Sequence, residues 1–492
     1  MSKGINFFKN IKKPEMNELV NWFQINFTSL SNDMKLSNHS FSDNKPNSYH
    51  LEDTVWTHTM MACLNAENNN ATKINKIAIL LHDIGKPLSR EIDETKKRVN
   101  FIGHEGISSY LAIKPLKELL SYGVITKEEM EDILFIISQH GTLFNNIDKE
   151  GNMLKKENVF SKFISANKIN TLVQILDKDN NTTNIELIKE YFKKEITLFN
   201  NFIMQVYYDS TGRFHISTND NGRKNFAYDL GKKIYTEEQL IEYIFNSVEH
   251  CLLIKNNKNQ ISKKRKQYEN KNIKSCLTIN KNTEPYIKVL VGPPGIGKST
   301  YINECIKKAE DFVLISRDNT LMKYALDNNI IGKKIKCSNC NEQGYVIDKQ
   351  LNGVRNKDTV LGKCNVKGCQ QGYITILNYS QVWQELSEED QKNIDKILEK
   401  NFQQAFKKKK NIIIDMTNMS NKKQKKWINK CNNKYYTEGI VFFTDLETLL
   451  NRINKRNKEI GKDINYSVIL KMLKSFTIPN YDIFDEIKIN IN

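Results

Sequence analysis

The chain has 492 residues, 39% hydrophobic and 10% aromatic, enough apolar side chain for about two to four packed domains and too much for a wholly disordered protein. No apolar run approaches the roughly 18 residues of a membrane span, and the start, MSKGINFFKNIKK, lacks the apolar core of a secretory signal, so a cytoplasmic protein with no membrane partner is expected. The net charge of +17 suits a polyanion such as RNA or DNA, while Lys- and Asn-rich runs such as Lys407 to Lys410 fit a biased genome equally well.

Residues 1–195 read as mostly helical, with apolar helical spacing over 74–81 and 130–137. Four histidines stand in an ordered series: His58 in VWTHTMM, His82 in LLHDIGK, His104 in GHEG and His140 in SQHG. Asp83 follows His82, and Asp177 and Asp179 stand in QILDKDNN. A single histidine on an apolar helix is commonly a core or surface residue. Four of them with carboxylates on successive helices can converge on one or two divalent metals inside a bundle, and such a site activates water and clamps a phosphoryl group. LLHDIGK resembles the fingerprint of the HD phosphohydrolase superfamily, and the resemblance covers about residues 45–190. It implies a metal set of His58, His82, Asp83, His104, His140 and a late aspartate. Asp177, in LVQILDK, is favoured for that place, with Asp179 the alternative. It also sets Lys86 beside the site, in reach of phosphate. Mixed His and Asp ligands suit Mn²⁺, Fe, Co²⁺ or Ni²⁺.

Residues 196–285 form a connecting region. A Gly/Asn-rich stretch from Ser210 to Lys233 could form a hairpin, and 255–285 read as a basic linker or a solvated helix face. No chemistry is assignable there.

Strands are expected at 287–291, 312–315, 412–414 and 439–443, alternating with helical patterns, which argues for an open parallel sheet. The first strand runs into Gly292-Pro-Pro-Gly295-Ile-Gly297-Lys298-Ser299-Thr300, a G-x-x-x-x-G-K-[ST] loop with strand before and helix after. Its glycines let backbone N–H groups curl around the phosphates of ATP, Lys298 bridges the β- and γ-phosphates, and Ser299 can ligate Mg²⁺. Asp318, after the next strand, can accept a proton from an attacking hydroxyl. Asp415 ends the following strand and faces the same crevice, and Arg452 and Arg456, one helical turn apart, can fold over the triphosphate as a lid. The succession GPPGIGKST, ISRDNTL, IIIDMTNMSNKKQKKW, RINKR and MLKSFTIPNYDIFDEI resembles the kinase module of 5′-OH polynucleotide kinases over about residues 286–492. The resemblance implies Asp318 as general base, Asp415 as an organiser of the acceptor, and Arg456 with Arg452 as lid arginines. It departs from the family at Leu321, where an acceptor-binding arginine is usual. Lys323 or another basic residue would have to substitute.

Between Asp318 and the next kinase motif, Cys337, Cys340, Cys364 and Cys369 form two pairs, each followed by Gly-Tyr. Four thiolates satisfy tetrahedral Zn²⁺ with no open position, so a structural zinc site is expected in an insert at about 334–374. The other five cysteines are scattered and read as reduced thiols. The expected architecture is multidomain: an N-terminal all-α HD-type helical bundle, and a C-terminal α/β P-loop kinase with a parallel sheet and a small zinc-binding insert. The order of the halves resembles bacterial end-healing fusions. These would use RNA or DNA ends as substrate, removing a 2′,3′-cyclic or 3′ phosphate and phosphorylating a 5′-OH, with sealing left to a separate ligase. The competing reading is a nucleoside or nucleotide kinase fused to a nucleotide phosphohydrolase.

Overall fold

The computed structural model describes residues 7–43, 45–47, 50–142, 157–178, 183–214, 235–256, 284–328, 330, 334–336, 345–348, 359–363, 369–370, 373–375, 379–431, 434–460 and 462–492. Most of the expected hairpin and basic linker, together with Asp179, Cys337, Cys340 and Cys364, lies outside those residues. Cys369 sits in the short strand Cys369–Gln370, with its side chain likewise outside them, so the zinc expectation falls outside the described structure. What is described of the insert is antiparallel: Lys334–Lys336 and Cys369–Gln370 pair with Tyr373–Thr375, and Tyr345–Asp348 pairs with Thr359–Lys363.

The N-terminal half is a helical bundle built from well-signalled starts. Thr54, Thr72 and Thr126 each accept a hydrogen bond from the backbone N–H three residues on, and Thr126 and Glu129 complete a reciprocal capping box. Helix Lys73–Leu81 is buried from Asn75 to Leu81, as expected of an element surrounded on all sides. It packs on Val55–Asn68, Lys127–Gln139 and Lys193–Thr211. The boundary expected at 195 falls inside that last helix.

Five strands form the C-terminal sheet in the order 486–491, 436–443, 286–291, 412–415, 313–316; strand 436–443 runs parallel to 486–491 and to 286–291, and 412–415 runs parallel to 313–316. Strand Tyr436–Phe443 is buried at every position, the pattern of a strand covered on both faces. All four expected strands are present. The fifth, Glu486–Ile491, is half-buried throughout and carries no such apolar run. Cys63, Cys305 and Cys431 are free and buried. Cys251 is disulfide-bonded, against the expectation of a reduced thiol.

The chain divides into two compact units, one of residues 1–311, 416–449 and 466–492, the other of 312–415 and 450–465. Within the first, the helical bundle and the end of the chain share a core. Tyr110 donates to Phe442 O at 3.3 Å, and its ring meets Phe443 and Phe476 at 5.1 and 5.2 Å. Ser138 Oγ accepts from the Ile478 N–H at 3.1 Å, and Ser165 donates to Asp485 O at 3.0 Å. Among the described residues, no helix is long and apolar enough to cross a membrane.

Candidate active sites

The four histidines of the series and Asp83 come together, all buried or nearly so. His82 and His140 continue the ends of helices Lys73–Leu81 and Lys127–Gln139, and His104 opens His104–Leu111. In each, Nδ1 bonds the carbonyl three residues earlier: His82 to Ile79 O at 2.7 Å, His104 to Phe101 O at 2.8 Å and His140 to Ile137 O at 2.6 Å. A carbonyl only accepts, so Nδ1 carries a proton, and in the neutral ring Nε2 presents a lone pair. These lone pairs face other acceptors. His104 Nε2 lies 3.1 Å from His140 Nε2 and 3.2 Å from Asp83 Oδ1, and His82 Nε2 lies 3.1 Å from Asp83 Oδ2. His82 Nε2 and both Asp83 oxygens are buried without an aligned hydrogen bond. Acceptors aimed at one another in a buried space call for positive charge between them, and imidazole nitrogens and carboxylate oxygens are the donor set that a divalent transition metal takes.

Three triads among the described residues have ligand atoms within 4.8 Å of one another, and two of them use the series: His58, His82 and Asp209, and Asp83, His104 and His140, with His39, His50 and Glu52 the third. His58 Nε2 lies 2.9 Å from Asp209 Oδ1 and 3.5 Å from Asp83 Oδ2, which links the first two. The aspartate that the structure brings to the histidines is Asp209, on Lys193–Thr211, where the sequence favoured Asp177. Asp177 is exposed on helix Ala166–Lys178, whose inward face is Ile169, Leu172, Val173 and Leu176. Burial opposes charge on His82, but the Asp83 and Asp209 carboxylates outweigh it and raise its pKa to about 10, so a metal at Nε2 would displace a proton that these carboxylates otherwise hold there. His140, buried beside His104 and His82, is pushed down to about 4.

Around this centre stand residues that the motif reading missed. Glu52 Oε1 lies 3.0 Å from His58 Nδ1 and 2.7 Å from His50 Nδ1, and Oε2 accepts from the Phe214 N–H. Buried Glu52 thus holds the far side of a ligand ring, as carboxylates behind metal-bound histidines do. His39 stacks on His50 at 4.2 Å, with its Nε2 3.4 Å from Lys86 Nζ. Lys86 lies 2.7 Å from Asp83 Oδ2, beside the site as expected. Gly85 lets this turn cross the helix of His104 closely: a Cβ there would lie 2.6 Å from His104 O and Ser108 N.

The kinase residues fall in both compact units. In the first, strand Tyr286–Val291 leads through the glycine loop into helix Lys298–Lys307. Gly297 has φ +117°, a conformation other residues rarely adopt, and it starts that helix, whose first-turn backbone N–H groups have no partner within the helix itself and point toward the place of an anion. Lys298 Nζ bonds Gly292 O at 2.7 Å and Pro293 O at 2.9 Å, while Ser299 and Thr300 are exposed. The loop is braced by Thr417, which accepts from the Gly292 N–H at 2.9 Å, and by Asn418, which donates to Leu290 O.

In the second unit, Asp318 opens helix Arg317–Asp327, half exposed. Its Oδ1 accepts from the Tyr379 hydroxyl at 2.8 Å and its Oδ2 pairs with Lys462, whose ammonium sits 4.0 Å from the Tyr379 ring centre. Burial and Asp318 push the Tyr379 hydroxyl pKa up, and Arg456 is near enough to draw it down. Asp415 accepts from Ser316 Oγ at 3.4 Å. Arg452 and Arg456 are half-buried on helix Leu446–Ile460. Leu321 is fully buried, so its position faces the core, Lys323 is exposed, and the cation on Asp318 is Lys462.

Two family models match the chain: the HD domain over residues 54–165 and the AAA domain over residues 287–479. Asp209 lies beyond the first match. No curated protein and no solved structure matches the chain. The chain therefore joins an HD domain, with a buried His/Asp cluster suited to divalent metal, to a P-loop kinase-like domain.

Proposed function

We propose that the chain heals the ends of cut RNA: its HD domain removes a 2′,3′-cyclic or 3′ phosphate, and its P-loop domain phosphorylates the 5′-OH from ATP. The observation that carries this reading is the presence, in one chain, of an acceptor-lined buried cluster suited to phosphoester hydrolysis and of a phosphate-cradling loop suited to phosphoryl transfer. Cleavage that leaves a cyclic phosphate and a 5′-OH creates ends needing both reactions, and the +17 charge suits such a partner.

On the hydrolytic side, His58, His82 and Asp209 with Asp83, His104 and His140 would hold the metal. When bound, it supplies an activated water and positive charge against the phosphoryl group. Glu52 keeps the His58 ring oriented, and Lys86 is placed to meet a phosphate oxygen. On the transfer side, Lys298 and the loop N–H groups hold the triphosphate and Ser299 serves Mg²⁺. Asp318 takes the proton of the attacking 5′-hydroxyl as its oxygen forms the new bond to the γ-phosphorus, and ADP leaves. Arg452 and Arg456 neutralise the developing charge. For Asp318 to act, Lys462 must yield its place on the carboxylate.

Binding of a single-stranded 5′-OH oligonucleotide tests the substrate class. Several phosphate contacts release counterions, so affinity should fall steeply and log-linearly between 50 and 200 mM salt, by about a hundredfold or more. Salt-independent binding, with turnover only of free nucleotides, would instead support a small-molecule kinase fused to a nucleotide phosphohydrolase. Buried Leu321 in place of an acceptor-binding arginine is the observation that favours this second reading.

A further inference from the structure

We propose that Tyr379 and Trp383 form a stacking platform for the base of the acceptor's terminal nucleotide, so that the kinase takes polynucleotide ends by their first base. The inference rests on the kinase reading above and names how that site holds its acceptor. Tyr379 and Trp383 lie one turn apart on helix Tyr379–Glu385, with rings nearly parallel at 15° and centres 6.4 Å apart. Tyr379 bonds Asp318 directly, so whatever rests on the platform lies beside the carboxylate that would take the proton. Trp383 is 41% exposed, unusual for so large an apolar ring, and an exposed ring next to the tyrosine that bonds Asp318 offers a face to a ligand.

The charges around the platform fit the same ligand. Lys462 sits over the Tyr379 ring, the Arg317 guanidinium lies 5.8 Å from the Trp383 ring centre, and Arg456 reaches Tyr379 electrostatically. Arg317 is anchored by Asp395 and by Gln391 Oε1 at 3.0 Å, so it is a fixed neighbour of the ring. Aromatic faces edged by cations are how proteins hold unpaired nucleic acid, because every base has a π-face and every residue a phosphate. The arrangement also supplies what Leu321 cannot. The position three residues after Asp318 is core, so acceptor contacts must come from another element, and helix Tyr379–Glu385 brings both rings.

The test is steady-state phosphorylation of two single-stranded acceptors, identical except that one has an abasic first nucleotide, by the full-length wild type, Trp383→Ala and Trp383→Phe. Loss of stacking on one ring is worth about tenfold to a hundredfold in binding. Wild type should show that much higher KM for the abasic end. Trp383→Ala should raise the KM for the normal end to a similar degree and erase the difference, with the KM for ATP unchanged and Trp383→Phe restoring most of it. Equal use of both ends by an active wild type, or a base preference that survives in Trp383→Ala, overturns the platform while leaving the kinase reading intact. If wild type phosphorylates free nucleosides but no oligonucleotide, the polynucleotide reading falls, and the platform as a polynucleotide subsite falls with it.

Discussion

At the residue scale, the chemistry of the HD site is set by proton placement. Three histidines give their Nδ1–H to the carbonyl three residues back, and three lone pairs are left facing other acceptors. Such a site is costly without a cation and specific with one. Asp209 completes it, and the consequence is measurable. Outer-shell changes cost about 10- to 100-fold in metal affinity, so loss of this ligand should cost at least as much. Asp209→Asn should lose most of its bound transition metal by elemental analysis, while Asp177→Asn keeps the wild-type content. Reversed results would return the ligand role to Asp177. His82 and Asp83 were legible in sequence because they are adjacent and sit in a distinctive string. Asp209 was not: it stands alone in VYYDST, far from any motif, and only the packing of Lys193–Thr211 on Val55–Asn68 brings it to His58. Asp177 misled because LVQILDK has the right periodicity, yet that same periodicity buries Leu176 and turns Asp177 outward.

At the scale of elements, helix Lys127–Gln139 is buried all round from Ile133 to Gln139 and delivers His140 at its end. Asp132, half-buried on it, has its carboxyl pKa raised to about 6 by burial, against the pull of Lys194. Its folded pKa lies above the ordinary value of 3.8, so its contribution to stability is full below that value and is lost as pH rises through about 6. At pH 7 to 8 the ionised group should cost about 1–2 kcal/mol, after allowance for its partial exposure. Asp132→Asn should therefore raise the melting temperature at pH 8 but hardly at pH 4. An equal shift at both values would show that the substitution acts through packing alone. The glycine loop was legible to the residue because it is contiguous and strand and helix flank it. Its braces, Thr417 and Asn418, were not, since they come from a segment read for Asp415.

At the scale of the molecule, the sequence suggests two modules in tandem, but one compact unit combines the helical bundle with residues 416–449 and 466–492. No local pattern encodes such sharing. Tyr110, Phe443 and Phe476 are ordinary apolar residues until the fold places their rings together. Phe476→Ala should cost about 3–5 kcal/mol, and the HD bundle and the C-terminal strands should then melt in one transition at lower temperature. Two separate transitions, with only one shifted, would show that the shared core does not couple them.

End analysis of a short RNA bearing a 5′-OH and a 2′,3′-cyclic phosphate separates end healing from turnover of free nucleotides. The RNA would be incubated with ATP, Mg²⁺ and Mn²⁺ and with wild type, Asp83→Ala or Asp318→Ala. The expected result is that wild type adds the 5′ phosphate and removes the 3′ one, that Asp83→Ala loses only the removal, and that Asp318→Ala loses only the addition. A wild type that leaves both ends untouched while turning over free nucleotides would contradict the account.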